Sequence, residues 1–321
     1  MLQPATHKIT TFVNLNLTQK MSFIRHLIVI VGPTAVGKTA LGIKLARHFC
    51  TGIISADSRQ FYREMHIGTA APSAGELSQA KHYFIQNKSA TDYYNASMFE
   101  FDALDMIEKL FKNQNILLMV GGSTLYVDAV CNGIDDLPAI DMELREKLMK
   151  QYREEGLEFL RHKLKVLDPD HYQKVDLRNP NRMLKAIEVS LITGKPYSSM
   201  LTATSKERNF NIIKLGINRE RPELFSRINQ RVDQMIADGL VDEVKSLVAI
   251  RDSNALKTVG YREIFEYLDG SISLSLAIDK IKTNTRRYAK RQLTWFSRDK
   301  GMPWFHPENT DQIVDYIQSK L

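Results

Sequence analysis

Short apolar runs alternate with segments of helical spacing over the first 120 residues and again near residue 215. Each run is continuous rather than alternating, which predicts strands of a parallel sheet that are buried on both faces. Strands that alternate with helices predict an α/β fold, with a mostly parallel sheet flanked by helices. The predicted strands are residues 26–31, 52–55, 115–120 and 211–217, and the predicted helices among them include 39–49 and 99–111.

The pattern changes after residue 136. Residues 141–193 show helical spacing almost throughout, and residues 193–196 (TGKP) have the composition of a helix C-terminus. Because the strand pattern resumes afterwards, we predict an all-helical module inserted into the α/β core. The predicted divisions are a polar extension over 1–24, a core of 25–136 and 205–321 with basic C-terminal helices, and the inserted module over 137–204.

Composition narrows the class of protein. The 321 residues are 43% hydrophobic and 25% charged, which suits one large or two medium cores. No apolar run approaches the roughly 20 residues that span a bilayer, and the first 24 residues do not resemble a secretory signal. The widely separated Cys50 and Cys131 predict neither a disulfide framework nor a zinc site. We expect a monomeric cytoplasmic protein without membrane contact.

A phosphate-binding loop follows the first predicted strand. Its pattern, G-x-x-x-x-G-K-[ST], places converging backbone N–H groups at the N-terminus of a helix, where an anion is favoured. The lysine can reach an outer phosphate, and the following hydroxyl can bind Mg²⁺. The predicted phosphate-binding residues are Gly32, Pro33, Thr34, Ala35, Val36, Gly37, Lys38 and Thr39, with Thr39 as the metal ligand.

The acidic residue expected beside this loop follows a different strand from the one that it follows in most nucleotide hydrolases. Those proteins commonly place an aspartate after a second apolar strand, whereas residues 117–120 are followed by Gly121, Gly122 and Ser123. Asp57 instead follows the strand at 52–55. Because parallel strands end at one edge of a sheet, Asp57 and Ser123 should enter the same crevice as the loop. That arrangement suits a kinase, or a carboxylate that acts on a nucleophile beside a diphosphate.

A basic segment lies near the C-terminus. Residues 280–300 contain eight lysines and arginines and one acid, Asp299. On a helix, Lys282, Arg286 and Lys290 would form a stripe suited to a phosphate backbone, while Ile281, Tyr288 and Trp295 recur on an apolar side. A solvated charged face is the alternative, and the shortage of acids argues against it.

These residues, with others in order along the chain, resemble the tRNA dimethylallyltransferases, also called tRNA isopentenyltransferases. This chain has Ser123 where that family usually has threonine, so a hydroxyl is kept. It lacks the cysteines of the zinc finger that eukaryotic relatives often add, so the resemblance is to the bacterial type. The similar segments are residues 32–39, 57–62 (DSRQFY), 67–70 (IGTA), 120–126 (VGGSTLY), 181–189 (NRMLKAIEV), 193–196, 259–262 (VGYR) and 289–296 (AKRQLTWF).

The resemblance implies transfer of the dimethylallyl group of dimethylallyl diphosphate to N6 of the adenosine on the 3′ side of the anticodon, in tRNAs that read codons beginning with U. We expect Asp57 to accept the proton of the amine and Ser123 to orient it. Arg262, Lys38, the loop amides and Mg²⁺ should stabilise the departing diphosphate. Residues expected to contact the tRNA anticodon stem-loop are Asp57, Ser58, Arg59, Gln60, Ser123, Asn181, Arg182, Met183, Leu184, Lys185, Arg286, Lys290 and Arg291.

Three other functions fit part of the pattern. A small-molecule or nucleotide kinase would use the same loop, but it does not explain the basic helix. An RNA-binding protein with a vestigial loop would have no need of Lys38, Thr39 and Asp57. A prenyltransferase acting on free adenylate would not need the inserted helical module.

Overall fold

A six-stranded sheet forms the centre of the computed structural model, which describes residues 24–202 and 204–321. The predicted polar extension lies outside these residues except for Ile24. All pairings between the named strands are parallel, in the order β3-β2-β4-β1-β5-β6, which confirms the predicted α/β class. The strands are β1 His26–Val31, β2 Ile53–Ala56, β3 His82–Tyr83, β4 Ile116–Gly121, β5 Asn211–Ile217 and β6 Trp304–Phe305.

Helices cover both faces of this sheet. Within the described residues, none is both long enough and apolar enough to cross a membrane. They are α1 Lys38–His48, α2 Ala74–Leu77, α3 Ala96–Leu110, α4 Thr124–Asn132, α5 Met142–Glu155, α6 Leu157–Leu167, α7 Pro169–Lys174, α8 Pro180–Thr193, α9 Arg221–Ala237, α10 Leu240–Ser246, α11 Tyr261–Leu268, α12 Leu274–Phe296 and α13 Thr310–Gln318.

Strand β1 lacks a polar alternation because both of its faces are buried. Val29 packs in a cluster with residues of α3 and α4, while Ile28 and Ile30 pack in a second cluster with residues of α1, α9 and α13. Successive side chains of a strand point to opposite faces, so a strand between two helical layers must be apolar throughout. β1 is therefore at the middle of the core, and the loop that follows it is held on a rigid base.

Two further clusters lie away from the sheet. Helices α9–α12 share one, in which Tyr261, Ile264 and Ile281 are buried. Helices α5–α8 share the other, built around Leu148, Leu160 and residues of α8. The latter helices lie within the segment predicted as an inserted module, and the module's binding role stays a prediction.

Neighbouring strands approach closely at their carboxyl ends. A Cβ atom on Gly121 would lie 2.2 Å from the Ala56 carbonyl oxygen, and one on Gly32 would lie 2.4 Å from the Ile217 carbonyl oxygen. Glycine at these positions lets the loops after β1, β2, β4 and β5 converge on one edge.

We expect Gly121→Ala to lower the free energy of unfolding by roughly 1–3 kcal/mol, because the added methyl group overpacks the edge. Equilibrium denaturation in urea measures this. Gly75→Ala is the control, since its Cβ in the exposed helix α2 would have no neighbour nearer than 3.9 Å. Equal denaturation midpoints for the two variants would contradict the close approach of β2 and β4.

Candidate active site

A cavity of about 840 Å³ opens at the carboxyl edge of the sheet. Its walls come from the loops after β1 and β2, the end of β4, and helices α9, α11 and α12. Several chemically active side chains line it, namely Lys38, Thr39, Asp57, Arg59, Arg227, Arg231, Arg262, Tyr288 and Arg291. The structure thus brings together side chains from the whole length of the α/β core.

The loop between β1 and α1 has the geometry of an anion site. Gly37 precedes α1 in a left-handed conformation (φ 110°), which favours glycine and turns the chain into the helix. The Lys38 ammonium group donates to the carbonyl oxygens of Gly32 and Pro33, at 2.9 and 2.8 Å. Desolvation in the cavity lowers the pKa of Lys38 to about 8, and Asp57 and Arg231 act in opposite directions on it. The amine is therefore still mostly protonated at pH 7 and loses its charge as the pH rises through about 8.

Two arginines hold carbonyl groups of the same loop. Arg219 donates through Nε to the Val36 carbonyl oxygen at 2.9 Å, and Arg227 donates through Nε to the Ala35 carbonyl oxygen at 3.0 Å. With these two carbonyl groups engaged, the loop N–H groups that have no protein partner are available to an anion.

Arg231 is the most informative residue that the sequence analysis missed. Its guanidinium group donates to the Thr34 hydroxyl and to the Thr69 carbonyl oxygen, both at 3.3 Å. Desolvation lowers its pKa, and the charge of Asp57 opposes that shift. One feature of the sequence could have indicated Arg231: it lies four residues after Arg227, which places both arginines on one face of α9.

One group of possible metal ligands is already filled by a cation. Glu223, His306 and Glu308 bring ligand atoms within 4.8 Å of one another. The Arg219 guanidinium group contacts all three side chains. The guanidinium group takes the place of a bound ion, so we do not assign a metal site to these three residues.

Asp57 lines the cavity, and Ser123 lies on the neighbouring loop, just after β4. Asp57 Oδ1 accepts from the Arg59 N–H at 3.0 Å, which leaves its other oxygen without a protein donor among the described contacts. The buried Ser123 hydroxyl accepts from the Ser58 N–H at 2.8 Å and lies 3.1 Å from the Ser58 hydroxyl. The loop after β2 is therefore pinned to the end of β4.

Neighbours of Asp57 in sequence are also held by backbone atoms. Arg59 donates to the Asn254 carbonyl oxygen at 3.1 Å, and the Gln60 amide donates to the Thr69 and Ala70 carbonyl oxygens at 3.3 and 3.0 Å. These bonds fix the wall of the cavity beside Asp57.

Tyr288 and Arg262 complete the far wall. Tyr288, expected on the apolar side of its helix, lines the cavity, and burial together with the charge of Asp57 raises its pKa to about 12. It is therefore a neutral phenol at physiological pH. Arg262 is exposed at the start of α11 and contacts the Glu263 carboxylate only loosely, at 3.8 Å.

The structure corrects two of the predicted tRNA contacts on α8. Met183 and Leu184 are 0% and 2% exposed and pack in the core of the α5–α8 bundle, so they cannot reach an RNA surface. Asn181 and Arg182 are exposed at the start of the helix. Lys185 is half-buried, and desolvation lowers its pKa.

The basic stripe on α12 also differs from the prediction. Lys280 and Lys282 form ion pairs with Glu266 and Asp233, at 2.7 and 2.5 Å. Arg286 donates to the Asn229 side-chain oxygen at 2.6 Å and faces α9 rather than open solvent. The acids missing from residues 280–300 are supplied by other helices. The exposed basic residues of this region are Arg287, Lys290, Arg291, Arg298 and Lys300.

The pKa of Lys38 predicts a pH dependence for anion binding. A protonated Lys38 attracts a diphosphate, so affinity for inorganic pyrophosphate should fall by about tenfold between pH 7 and pH 9 as the amine loses its proton. Calorimetry at both pH values measures this, with Lys38→Met reporting the titration of pyrophosphate itself. A wild-type affinity that changes with pH no more than that of Lys38→Met would contradict the assignment.

Comparison with known proteins adds the family. A family model described as IPP transferase matches residues 60–299. The chain is 50% identical over 295 residues to tRNA dimethylallyltransferase 1 of Bacteroides fragilis, covering 92% of this chain and 98% of the relative. It is also 50% identical over 297 residues to tRNA dimethylallyltransferase of Christiangramia forsetii, again covering 92% and 98%.

Solved structures show the same relationship. The full-length tRNA isopentenylpyrophosphate transferase of Bacillus halodurans is similar with a TM-score of 0.68 at 36% identity, covering 92% of this chain and 96% of that one. A eukaryotic dimethylallyltransferase described as acting on tRNA gives a TM-score of 0.69 at 26% identity, covering 84% and 69%. With its phosphate loop, Asp57 and Ser123 gathered at one sheet edge, the chain belongs to the IPP transferase family, that of the tRNA dimethylallyltransferases.

Proposed function

We propose that this chain transfers the dimethylallyl group of dimethylallyl diphosphate to N6 of the adenosine on the 3′ side of the anticodon, in tRNAs that read codons beginning with U. The observation that carries the proposal is the placement of Asp57 beside a phosphate loop, with Ser123 rather than a carboxylate at the end of β4. Family membership supports the same reaction.

The diphosphate binds at the loop between β1 and α1. Its charge is matched by the loop N–H groups, the Lys38 ammonium group and the Arg231 guanidinium group, while Arg262 approaches from α11. When the allylic C–O bond breaks, the diphosphate leaves with the electron pair and its negative charge increases. Fixed donors aimed at that charge lower the barrier, and they act more strongly in a desolvated cavity than in water.

Asp57 is the proton acceptor for the incoming amine. The N6 lone pair is delocalised into the adenine ring, so attack on the allylic carbon becomes easier when the amine loses a proton as the N–C bond forms. The Asp57 carboxylate, held by the Arg59 N–H, has an oxygen left to accept that proton. Ser123, fixed by Ser58, orients the amine or the carboxylate.

Mg²⁺ fits this site by the chemistry of its donors. Thr39, the second residue of α1, has a hydroxyl oxygen and lines the cavity, and hydroxyl, phosphate and water oxygens are the ligands that Mg²⁺ prefers. Thr39 would hold the ion, which would neutralise part of the charge of the diphosphate.

tRNA binds across the exposed end of α12 and the start of α8. Arg287, Lys290 and Arg291 are exposed, and none of the ion pairs among the described residues involves them. Asn181 and Arg182 offer a second polar contact. The target base lies in a single-stranded loop, so turning it into the cavity costs only a few kcal/mol.

The direct test supplies labelled dimethylallyl diphosphate without ATP, together with either a tRNA or AMP. We expect label on the tRNA alone, at N6 of the adenosine 3′ to the anticodon after nuclease digestion. Label on AMP would favour a free-adenylate prenyltransferase. Phosphoryl transfer from ATP to a small acceptor would favour a kinase, and RNA binding without transfer would favour an RNA-binding protein.

Asp57→Asn should reduce the turnover number by about 10²- to 10⁴-fold, because the proton acceptor is lost. Pyrophosphate binding should be kept within a few-fold, because the charge of Asp57 repels the diphosphate but also raises the pKa of Lys38, and the two effects of removing it oppose each other. Single-turnover kinetics and calorimetry measure the two effects. Asp105→Asn, at an exposed ion pair on α3, is the matched control. Near-normal turnover in Asp57→Asn would sink the assignment.

A further inference from the structure

Gln292 joins the two loops that form the donor and acceptor sides of the cavity. It lies on α12 and is 3% exposed. Its Oε1 accepts from the Thr34 N–H at 2.9 Å, and its Nε2 donates to the Gly122 carbonyl oxygen at 2.8 Å. A single side chain thus connects the phosphate loop, the end of β4 and the basic helix.

Only an amide of this length can make both bonds at once. The Thr34 N–H is a donor and the Gly122 carbonyl is an acceptor, so the orientation of the Gln292 amide is determined by its partners. A carboxylate would lack the donor, and an apolar side chain would leave two buried backbone groups unpaired. Loss of such a partner costs more than a typical exposed hydrogen bond.

The contact between Gln292 and Gly122 leaves no room for a side chain at residue 122. A Cβ atom at residue 122 would lie 2.5 Å from Gln292 Nε2 and 3.3 Å from Lys38 Nζ. The space beside Gly122 is therefore shared by the Gln292 amide and the Lys38 ammonium group. The contact between Gln292 and Gly122 lies next to Ser123 in sequence and next to Lys38 in space.

We propose that Gln292 is a positioning residue for prenyl transfer. It sets the spacing between the diphosphate loop and Ser123, so that the departing diphosphate and the attacking amine are held at reacting distance. It also ties both loops to α12, one turn beyond Tyr288. The role rests on the proposed function, and Gln292 itself touches neither reacting group.

Two variants separate this role from general stability. Gln292→Met keeps the length of the side chain and removes both bonds, while Gln292→Glu keeps the bond from Thr34 and sets a carboxylate oxygen against the Gly122 carbonyl. For both we expect the turnover number to fall by about 10- to 100-fold and pyrophosphate affinity by about tenfold. The dissociation constant for tRNA, measured by filter binding, should stay within about twofold because the exposed basic residues are unchanged.

Thr294→Ala is the matched control on the same helix, since Thr294 is exposed and its hydroxyl donates only to the Lys290 carbonyl oxygen. It should match the wild type in all three measurements. Wild-type turnover and pyrophosphate affinity in Gln292→Met would overturn the proposal. So would an equal loss of tRNA affinity with a lowered melting temperature, since that indicates a merely structural role. If the wild-type chain itself transfers no label to tRNA, the proposed function fails, and the pyrophosphate affinities still test whether Gln292 shapes the loop.

Discussion

The loop between β1 and α1 can face a diphosphate because its own polar groups are held by the protein around it. The carbonyl oxygens of Ala35 and Val36 are held by Arg227 and Arg219, and the Thr34 N–H is held by Gln292. A short loop that had to satisfy these groups internally would fold back on itself. Held by these contacts, the loop lines the cavity with Thr34, Gly37 and Lys38.

The positions of Asp57 and Ser123 depend on how closely β2 and β4 approach at their carboxyl ends. Because β2 and β4 run parallel and end at one edge, Asp57 and Ser123 emerge beside the loop and are bonded through Ser58. The absence of a side chain at Gly121 lets β2 and β4 meet closely enough for this contact. A carboxylate is thus held near the cationic groups that we propose bind a diphosphate, which suits proton removal beside a leaving group better than phosphoryl transfer.

The sequence predicts those parts of the fold and the site that depend on the local pattern of apolar residues. Continuous apolar runs predicted β1 and β5 to the residue, and the parallel topology then implied that Asp57 and Ser123 share an edge. Strands β3 and β6 have two residues each and are too short to show a pattern. The roles of Arg231 and Gln292 depend on contacts with Thr34 across 197 and 258 residues, which periodicity does not show. The prediction that Met183 and Leu184 contact tRNA was wrong for a related reason. A sequence motif includes core residues as well as contact residues, and only the packing of the structure shows which are which.

We propose that the loop between β1 and α1 holds the departing diphosphate while Asp57 faces the attacking amine. A crystal structure with inorganic pyrophosphate and a tRNA anticodon stem-loop tests it most directly. Pyrophosphate oxygens should lie within hydrogen-bonding distance of Lys38 and Arg231, and the adenosine N6 should lie within hydrogen-bonding distance of Asp57. Pyrophosphate bound outside the loop, or an adenosine that enters the cavity with N6 turned away from Asp57, would contradict it.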